Sequence, residues 1–215
     1  EIVEKLIINL FKKFSTKQLM EEKFPRIPYE EAMLKYGCDK PDLRNPLLIY
    51  DLTNIFTRED VTFDIFKKLV KSGSKVRCIV TKQTKDKPRS FFDGVDKWAK
   101  EQGASGLAYF SIIKDKEISA KGPVGKFFKE SALKEIMKTT QAEIGDSIFF
   151  ACGKINDVEK ISALAREKIG KDLNLIDENK FAFCWIVDYP MFELNEDTKK
   201  IEFSHNPFSM PQGDI

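Results

Sequence analysis

The sequence has little histidine and cysteine, and these shortages exclude most metal sites and nucleophilic centres. A single histidine, His205, and four scattered cysteines occur in 215 residues. A His-Glu-x-x-His zinc helix needs two histidines and a zinc ribbon needs paired cysteines, so structural zinc is not expected. No Gly-x-Ser-x-Gly element is present to expose a nucleophilic serine. His205 is therefore expected to bind or orient a ligand.

Long apolar runs are also missing, which argues against a membrane span. No run approaches the roughly 20 apolar residues that a membrane helix requires, and the first ten residues do not form a signal peptide. The cysteines do not cluster and no Asn-x-Ser/Thr sequon occurs. These features indicate a cytoplasmic protein in a reducing compartment. The first residue is not methionine, so we expect an excerpt of a longer chain.

Charge is nearly balanced over the whole chain but uneven along it. Lysine and arginine number 36 against 34 aspartates and glutamates, and the net charge of +2 gives no global argument for nucleic-acid binding. Residues 66–100, called here the basic stretch, hold eleven cations against three aspartates, a net charge of +8. This stretch is either a solvated face of an exposed module or a contact for a phosphate backbone.

Periodicity predicts an α+β protein. Apolar spacing predicts an amphipathic helix over residues 2–15 and a short helix over residues 29–36 that Gly37 stops. Between residues 47 and 170, β-branched and aromatic runs alternate with helical patterns. The predicted strands there cover residues 76–80, 106–113 and 147–152, with a strand or strand-to-helix turn at 47–56. The predicted helices cover residues 90–101, 131–139 and 157–169, the last of them ended by Gly170.

Two further segments contain candidate sites. Residues 38–46 are charged and twice broken by proline, so they form a loop that is either a surface linker or faces a substrate. Residues 181–189 are nearly all apolar, which predicts a strand buried on both faces. Residues 201–205 predict a second strand, which places His205 at the end of a buried hairpin. There the histidine either faces a cleft or packs in the core with a hydrogen bond.

Segments near both ends of the chain carry a family resemblance. They are Tyr36-Gly37-Cys38-Asp39-Lys40-Pro41-Asp42-Leu43-Arg44, and Trp185-Ile186-Val187-Asp188-Tyr189-Pro190-Met191-Phe192-Glu193 followed by Ser204-His205-Asn206-Pro207-Phe208. With these signatures, essentially the whole chain resembles the bacterial type of aspartyl-tRNA synthetase. The middle resembles the GAD insertion domain of that family, through Gly106-Leu107-Ala108-Tyr109, Lys121-Gly122-Pro123-Val124-Gly125-Lys126-Phe127 and Gly145-Asp146-Ser147-Ile148-Phe149-Phe150. Amidotransferase subunits share the GAD domain but would not supply the flanking signatures.

The resemblance implies a class II synthetase catalytic domain, an antiparallel sheet with helices, interrupted by an α+β GAD-like insertion. The implied boundaries are residues 1–46 for the first part of the catalytic domain, 47–170 for the insertion and 171–215 for the second part. The anticodon-binding barrel, the dimer-interface motif and the motif 2 arginine are then expected before Glu1, and the motif 3 arginine after Ile215. We therefore expect the fragment alone to be inactive and the full enzyme to be a homodimer.

The activity that the resemblance implies is that of an aspartate–tRNA ligase. The parent enzyme would activate L-aspartate with ATP to aspartyl-adenylate and transfer the aspartyl group to tRNA(Asp), with tRNA(Asn) left open as a second acceptor. Neither step needs a covalent protein nucleophile, so no catalytic residue is assigned. The reaction is accelerated by positioning the reactants in line and by arginines and Mg²⁺ that stabilise charge on the phosphate. We expect ATP and Mg²⁺ to serve the full enzyme, with no metal site and neither ligand bound in this fragment.

Site residues are transferred from the family position by position. The aspartate-binding histidine of the family maps onto His205, whose imidazole can donate a hydrogen bond to a substrate carboxylate. Asn206 stands where many members have a second histidine, and we give it a supporting role. Cys38 stands where serine is usual and implies no thiol chemistry. Individual roles stay unassigned for the charged residues of the loop, which are Asp39, Lys40, Asp42 and Arg44.

Two other patterns favour structural roles. Asp188 and Glu193 suggest paired-carboxylate or metal chemistry, but Pro190 between them leaves no defined geometry. The pairs Phe91-Phe92 and Phe127-Phe128 favour core packing over stacking on bases. The competing hypothesis is a non-catalytic tRNA-binding or protein-interaction module that docks through the basic stretch. A steep fall of tRNA affinity with salt would support the RNA-binding form of that hypothesis.

Overall fold

Helices and short strands alternate along the chain. A computed structural model describes residues 2–195 and 198–204. The helices are α1 (Ile2–Phe14), α2 (Tyr29–Tyr36), α3 (Asp64–Lys71), α4 (Arg89–Glu101), α5 (Glu130–Thr140) and α6 (Ile155–Asp172). The strands are β1 (Gln18–Leu19), β2 (Arg26–Pro28), β3 (Ile49–Asp51), β4 (Lys75–Thr81), β5 (Ala108–Lys114), β6 (Ile118–Lys121), β7 (Ser147–Gly153), β8 (Lys180–Phe181), β9 (Trp185–Val187), β10 (Phe192–Leu194) and β11 (Ile201–Phe203). Two 3₁₀ turns cover Thr53–Thr57 and Gly125–Phe127.

A five-stranded antiparallel sheet forms the middle of the chain. Its strand order is β3-β4-β7-β5-β6, and each neighbouring pair is antiparallel. The central pair runs in register from Lys75 opposite Gly153 to Thr81 opposite Ser147. β-branched and aromatic side chains are frequent in these strands because they fit a pleated surface covered on both sides. The predicted strands of this region are confirmed.

Two hydrophobic cores lie on opposite faces of the sheet. Neighbouring residues of β7 point to opposite faces, so Phe150 packs in the core beneath α3 and α5, and Phe149 packs in the core beneath α4 and α6. Both rings are at most 1% exposed. Burying a side chain of this size contributes about 1.5–3 kcal/mol. The sheet and its four helices therefore form the predicted α+β module, whose two cores fix the positions of the surrounding loops.

The paired phenylalanines belong to these cores. Phe92 of α4 is 4% exposed and stacks on Tyr109 at a centroid distance of 4.7 Å. Phe128 is 7% exposed and lies 5.0 Å from the ring of Phe110. The preference for core packing over base stacking at these positions is confirmed.

The segments on either side of the module form short strand pairs. β1 pairs in parallel with β8, and β2 pairs in parallel with β9. β10 and β11 form an antiparallel hairpin. These described strands do not confirm the expected antiparallel catalytic sheet.

Burial of the C-terminal segment differs from the prediction. Residues 181–189 do not form one strand buried on both faces; β8 and β9 are separate and only half-buried, because nothing among the described residues covers both faces of these two-stranded pairs fully. The β10–β11 hairpin is exposed, with Ile201 at 74% and Phe203 at 68%. The predictions of a buried strand and a buried hairpin are therefore wrong. His205 lies outside the described residues.

Two glycines were expected to end helices, and only one of them does. Gly37 has φ +74° and donates its backbone N–H to the carbonyl of Met33, so it ends α2 as predicted. Gly170 does not end α6, which continues to Asp172. A Cβ at Gly170 would clash with the side-chain amide of Asn45. The absence of a side chain at Gly170 thus permits close packing instead of terminating the helix.

Within the described residues, no helix combines the length and the apolar character needed to cross a membrane.

Candidate functional site

Two tyrosines stand just beyond the ends of neighbouring parallel strands. Tyr29 follows β2 directly, and Tyr189 comes two residues after β9. Because parallel strands end at the same edge, the rings meet, with centroids 5.0 Å apart. Asp188 has φ +57° and turns the chain between β9 and Pro190. The edge of the β2–β9 pair is thus lined by phenol groups.

The charged loop at residues 38–46 reaches the same edge. The Asp39 carboxylate accepts a hydrogen bond from Lys40 Nζ at 2.7 Å and lies 3.5 Å from the hydroxyl of Tyr189. The Lys40 side chain is 84% exposed. We call Tyr29, Asp39, Lys40 and Tyr189 the strand-end cluster. This contact places the start of the loop beside the ends of β2 and β9, and the choice between a surface linker and a substrate-facing loop stays a prediction.

The ionisable groups of the strand-end cluster keep their ordinary charge at neutral pH. The hydrogen bond from Lys40 lowers the pKa of Asp39, and the same contact raises the pKa of Lys40. Burial raises the pKa values of Tyr29 and Tyr189, and the negative charge of Asp39 raises them further. Each shift moves the pKa of the group further from pH 7. The cluster therefore presents one positive and one negative charge together with phenol hydroxyls, and it is poorly suited to exchange protons with a substrate.

Asp42 and Arg44 shape the loop from within. Arg44 donates Nε and Nη2 to the two oxygens of Asp42 at 2.9 and 2.8 Å, and Arg44 N donates to the same carboxylate at 3.0 Å. This two-pronged contact lowers the pKa of Asp42. Arg44 also reaches Glu178 at 3.4 Å. These two residues hold the loop in shape and tie it to the segment before β8.

Arg166 of α6 binds the far end of the loop. Its guanidinium, 2% exposed, donates to the carbonyl oxygens of Asp42, Asn45 and Leu47 at 2.9, 2.7 and 2.6 Å. The guanidinium also lies over the ring of Tyr36, 4.9 Å from its centroid. Burial lowers the pKa of Arg166. In the reverse direction, the Asn45 side chain donates to the Arg166 carbonyl at 2.9 Å. We call these contacts the Arg166 junction; they fasten α6 to the loop that begins at the strand-end cluster.

The residues predicted from the sequence are only partly brought together. His205 and Asn206 lie outside the described residues. Asp188 and Glu193 are not paired: Asp188 occupies the turn after β9, and Glu193 lies on the exposed hairpin, where Ser204 donates to it at 3.5 Å. Among the described residues, no group of three or more histidine, cysteine, aspartate or glutamate side chains could hold a metal ion.

Known proteins resemble the chain over its whole length. A GAD domain model matches residues 66–162. The protein named aspartate–tRNA(Asp/Asn) ligase from Pelagibacter ubique (strain HTCC1062) is 81% identical over 215 residues, which are 100% of this chain and 36% of that protein. The chain corresponds to a segment of the bacterial-type aspartyl-tRNA synthetases. Proteins of the same name from Beijerinckia indica subsp. indica and Wolbachia pipientis wMel are 47% and 49% identical, covering 99% and 100% of this chain and 36% and 35% of their own lengths.

The chain spans about a third of the length of the curated relatives that it matches. Its GAD domain carries most of the basic stretch, and much of that charge is neutralised. Five of the eleven cations lie within 4.0 Å of a carboxylate; the pairs are Arg77 with Asp51 and Glu159, Lys82 with Asp146, Arg89 with Asp93, Lys97 with Glu101, and Lys100 with Asp96. Asp93 and Asp96 are already counted in the net charge of +8, but the carboxylates that pair with Arg77, Lys82 and Lys97 come from outside the stretch, so +8 overstates its positive charge in the folded protein.

Sequence reasoning on this synthetase segment missed Tyr29 and Arg166. Tyr29 carries no signal in the sequence, because its role depends on the parallel pairing of β2 with β9. Arg166 does carry one: it falls between Ala165 and Ile169 on the apolar stripe of α6. An arginine on a buried stripe needs partners for its donors, and the loop carbonyls provide them.

Proposed function

We propose that this chain is part of an aspartate–tRNA ligase. The whole enzyme activates L-aspartate with ATP to aspartyl-adenylate and transfers the aspartyl group to tRNA(Asp). The observation that carries the proposal is the 81% identity, over all 215 residues, to a protein named aspartate–tRNA(Asp/Asn) ligase. Since each of the relatives named above bears both acceptors in its name, we include tRNA(Asn) as a second acceptor.

The strand-end cluster supports this chemistry. The first step transfers the adenylyl group of ATP to the aspartate carboxylate with release of pyrophosphate, and the second transfers the aspartyl group from the adenylate to tRNA. Both steps depend on placing bound reactants in line rather than on a protein nucleophile. The cluster offers one exposed ammonium group, the Asp39 carboxylate and neutral phenols, which bind and orient a substrate that carries both signs of charge, as aspartate does, without exchanging protons. The Arg44–Asp42 contact and the Arg166 junction hold the loop that presents these groups, so the substrate meets a preformed surface.

His205 is proposed to bind the substrate carboxylate, and Asn206 to support it. The chain leaves β11 at Phe203 and reaches His205 two residues later. An imidazole N–H can donate a hydrogen bond to one oxygen of the aspartate carboxylate, and the Asn206 amide can donate a second. Asn206 adds a donor without adding charge.

ATP and Mg²⁺ are proposed to serve the whole enzyme. Among the described residues, no group of three or more acidic, histidine or cysteine side chains converges. Mg²⁺ that accompanies a nucleotide is held mainly by the phosphates, waters and one or two carboxylates. Mg²⁺ would stabilise charge on the phosphates of ATP. In the proposal, the described residues contribute the loop and the strand ends, which position substrate.

The domain boundaries are part of the same proposal. Residues 1–46 and 171–215 form two parts of one catalytic domain, and residues 47–170 form the insertion between them. Two features of the fold support the division: β1 and β2 pair with β8 and β9 across the insertion, while the five-stranded sheet closes on its own two cores. We also propose a homodimer located in the cytoplasm.

The test is aspartate loading by the complete polypeptide that contains this chain. Labelled aspartate, ATP and Mg²⁺ are supplied with tRNA(Asp) or tRNA(Asn), and acid-precipitable label is counted. A His205→Ala variant should lose about 10- to 150-fold in kcat/KM, because a hydrogen bond to a charged group contributes about 1.5–3 kcal/mol. The loss should appear in adenylate formation as well as in transfer, since the carboxylate contact precedes both steps.

A His205→Gln variant is the matched control, because its amide keeps a donor near the same position. It should retain more activity than His205→Ala. Loading of tRNA(Asp) alone would remove tRNA(Asn) from the proposal. Failure of the unsubstituted protein to load either tRNA would refute the ligase assignment and favour a binding module.

A further inference from the structure

A basic cleft opens on the GAD domain, away from the strand-end cluster. Its volume is about 460 Å³, and it lies where α4 begins beside β5 and β6. Four cations line it, from two separate parts of the chain: Lys85, Lys87 and Arg89 lie in the five residues that lead into α4, and Lys121 lies at the end of β6. We call this feature the four-cation cleft.

The charges of the four-cation cleft are largely uncompensated. Within the described part of the chain, Lys85, Lys87 and Lys121 make no ion pair, whereas five other cations of the basic stretch do. Arg89 faces Asp93 at 3.1 Å, but both side chains are exposed, so this pair is weak and easily redirected. None of the residues that line the cleft carries a carboxylate. Like charges brought together without partners raise the energy of the empty cleft, and an anion relieves that repulsion.

The floor and walls of the cleft are fixed. Tyr109 is 7% exposed and donates its hydroxyl to Asp93 at 3.0 Å, which leaves Asp93 shared between two partners. Gly122 has φ +146°, and a Cβ there would lie 2.9 Å from the backbone of Phe110. The wall that carries Lys121 is therefore packed directly against β5. The backbone and the ring beneath the cations are held in place, so binding a ligand requires ordering only of the exposed lysine and arginine side chains.

The chemistry of the cleft favours a phosphate backbone over a protein partner. Protein interfaces depend on exposed apolar or aromatic anchors, but the aromatic residues of this cleft, Phe92 and Tyr109, are 4% and 7% exposed and already packed together. Contacts to a nucleic-acid backbone need only cations and hydrogen-bond donors on a concave surface. The first turn of α4 adds its positive dipole end at Arg89.

We propose that the four-cation cleft binds phosphate groups of an RNA backbone, and that this RNA is the tRNA substrate. The identification of the RNA rests on the proposed function; the binding of phosphate does not. The cleft supplies affinity and orientation without reading base sequence, since its donors face phosphate oxygens rather than base edges.

The test is RNA binding by the complete polypeptide at several salt concentrations. A Lys87→Gln/Lys121→Gln variant removes one cation from each side of the cleft. Fluorescence anisotropy with labelled tRNA(Asp) should show weaker binding and a slope of log K against log salt that is smaller by about 1 for each lysine removed. The loss should be the same for an unrelated tRNA. Aspartyl-adenylate formation without tRNA should be unchanged, because the cleft does not touch that chemistry.

The matched control is Lys68→Gln/Lys71→Gln on α3. It makes the same change of net charge with exposed lysines on the opposite face of the sheet, where α3 packs. Its salt slope should equal that of the unsubstituted protein, and thermal melting should show all variants folded. An unchanged slope in Lys87→Gln/Lys121→Gln would overturn the proposal, whether or not the protein loads aspartate. If polyglutamate binding depends on the two lysines and RNA binding does not, the cleft takes an acidic protein instead.

Discussion

Arg166 shows how much one side chain can contribute to the architecture. Three backbone carbonyls of the loop before β3 accept its hydrogen bonds, and its own carbonyl receives one from Asn45. These carbonyls would otherwise face a buried environment without donors, which is costly. Position on an apolar helix face predicts burial of Arg166, but the identity of its partners depends on a loop more than a hundred residues earlier in the chain.

An Arg166→Met substitution keeps the volume and removes the donors. We expect it to lower the free energy of unfolding by about 3–5 kcal/mol, because buried carbonyls lose charge-assisted hydrogen bonds. Urea denaturation followed by circular dichroism measures the change. Lys160→Met, an exposed position on the same helix, serves as the control and should cost little. Equal losses for the two variants would show that the Arg166 junction contributes no specific stability.

At the scale of elements, sequence reasoning succeeded where periodicity was strong. It located α1, α2, α4, α5, α6 and the three long strands of the sheet. It missed α3 and β6. Most of α3 falls in the basic stretch, where the lysines make the apolar stripe hard to recognise, and β6 is only four residues long. The prediction for residues 181–189 was wrong, because an apolar run shows that a segment is hydrophobic but does not determine where its strands begin and end or how fully they are covered.

The effect of replacing a glycine within a helix also depends on tertiary packing that the sequence does not show. Gly170→Ala should destabilise the protein by about 1–3 kcal/mol, because the new methyl group displaces Asn45 from its hydrogen bonds with Arg166 and Leu47. Gly94→Ala in α4 should instead stabilise it by about 0.5–1 kcal/mol, since nothing lies within 4 Å of the added atom. Thermal or urea unfolding of the two variants measures both effects. Stabilisation by both would show that Asn45 adjusts without loss.

At the scale of the whole molecule, charge was the property least predictable from sequence. The sequence predicts a stretch of +8, yet Arg77 lies opposite Asp51 in the register of β4 with β3, and Lys82 pairs with the buried Asp146. Strand register decides these pairs, and no local pattern encodes it. The candidate site was likewise predictable only in part. The sequence indicates the charged loop, but the contact of that loop with Tyr189 depends on the pairing of β2 with β9, which no local pattern encodes.

Stability should fall in acid because paired carboxylates are lost. Hydrogen bonds from Arg44 and Arg58 lower the pKa values of Asp42 and Asp60 in the folded protein. A folded pKa below the unfolded value of about 3.9 gives stability that is present above that value and disappears as pH falls through the folded pKa. Melting temperature recorded from pH 7 to pH 3 should therefore decline below about pH 4.

Asp60→Asn should lower the melting temperature at pH 7 and flatten its decline in acid. Asp115→Asn, an exposed position between β5 and β6, is the control and should keep the full decline. Identical acid profiles for the Asp60→Asn variant and the unsubstituted protein would assign the acid sensitivity to other groups.

The β1–β8 and β2–β9 pairs bear on how proteins with this arrangement can evolve. Strands before and after the five-stranded module lie side by side, so the two ends of the module meet. The module is then joined to the flanking segments at two points of the chain that lie close together. A unit attached in this way can be gained, lost or transferred to a different protein by recombination at one surface loop, with the rest of either fold left intact.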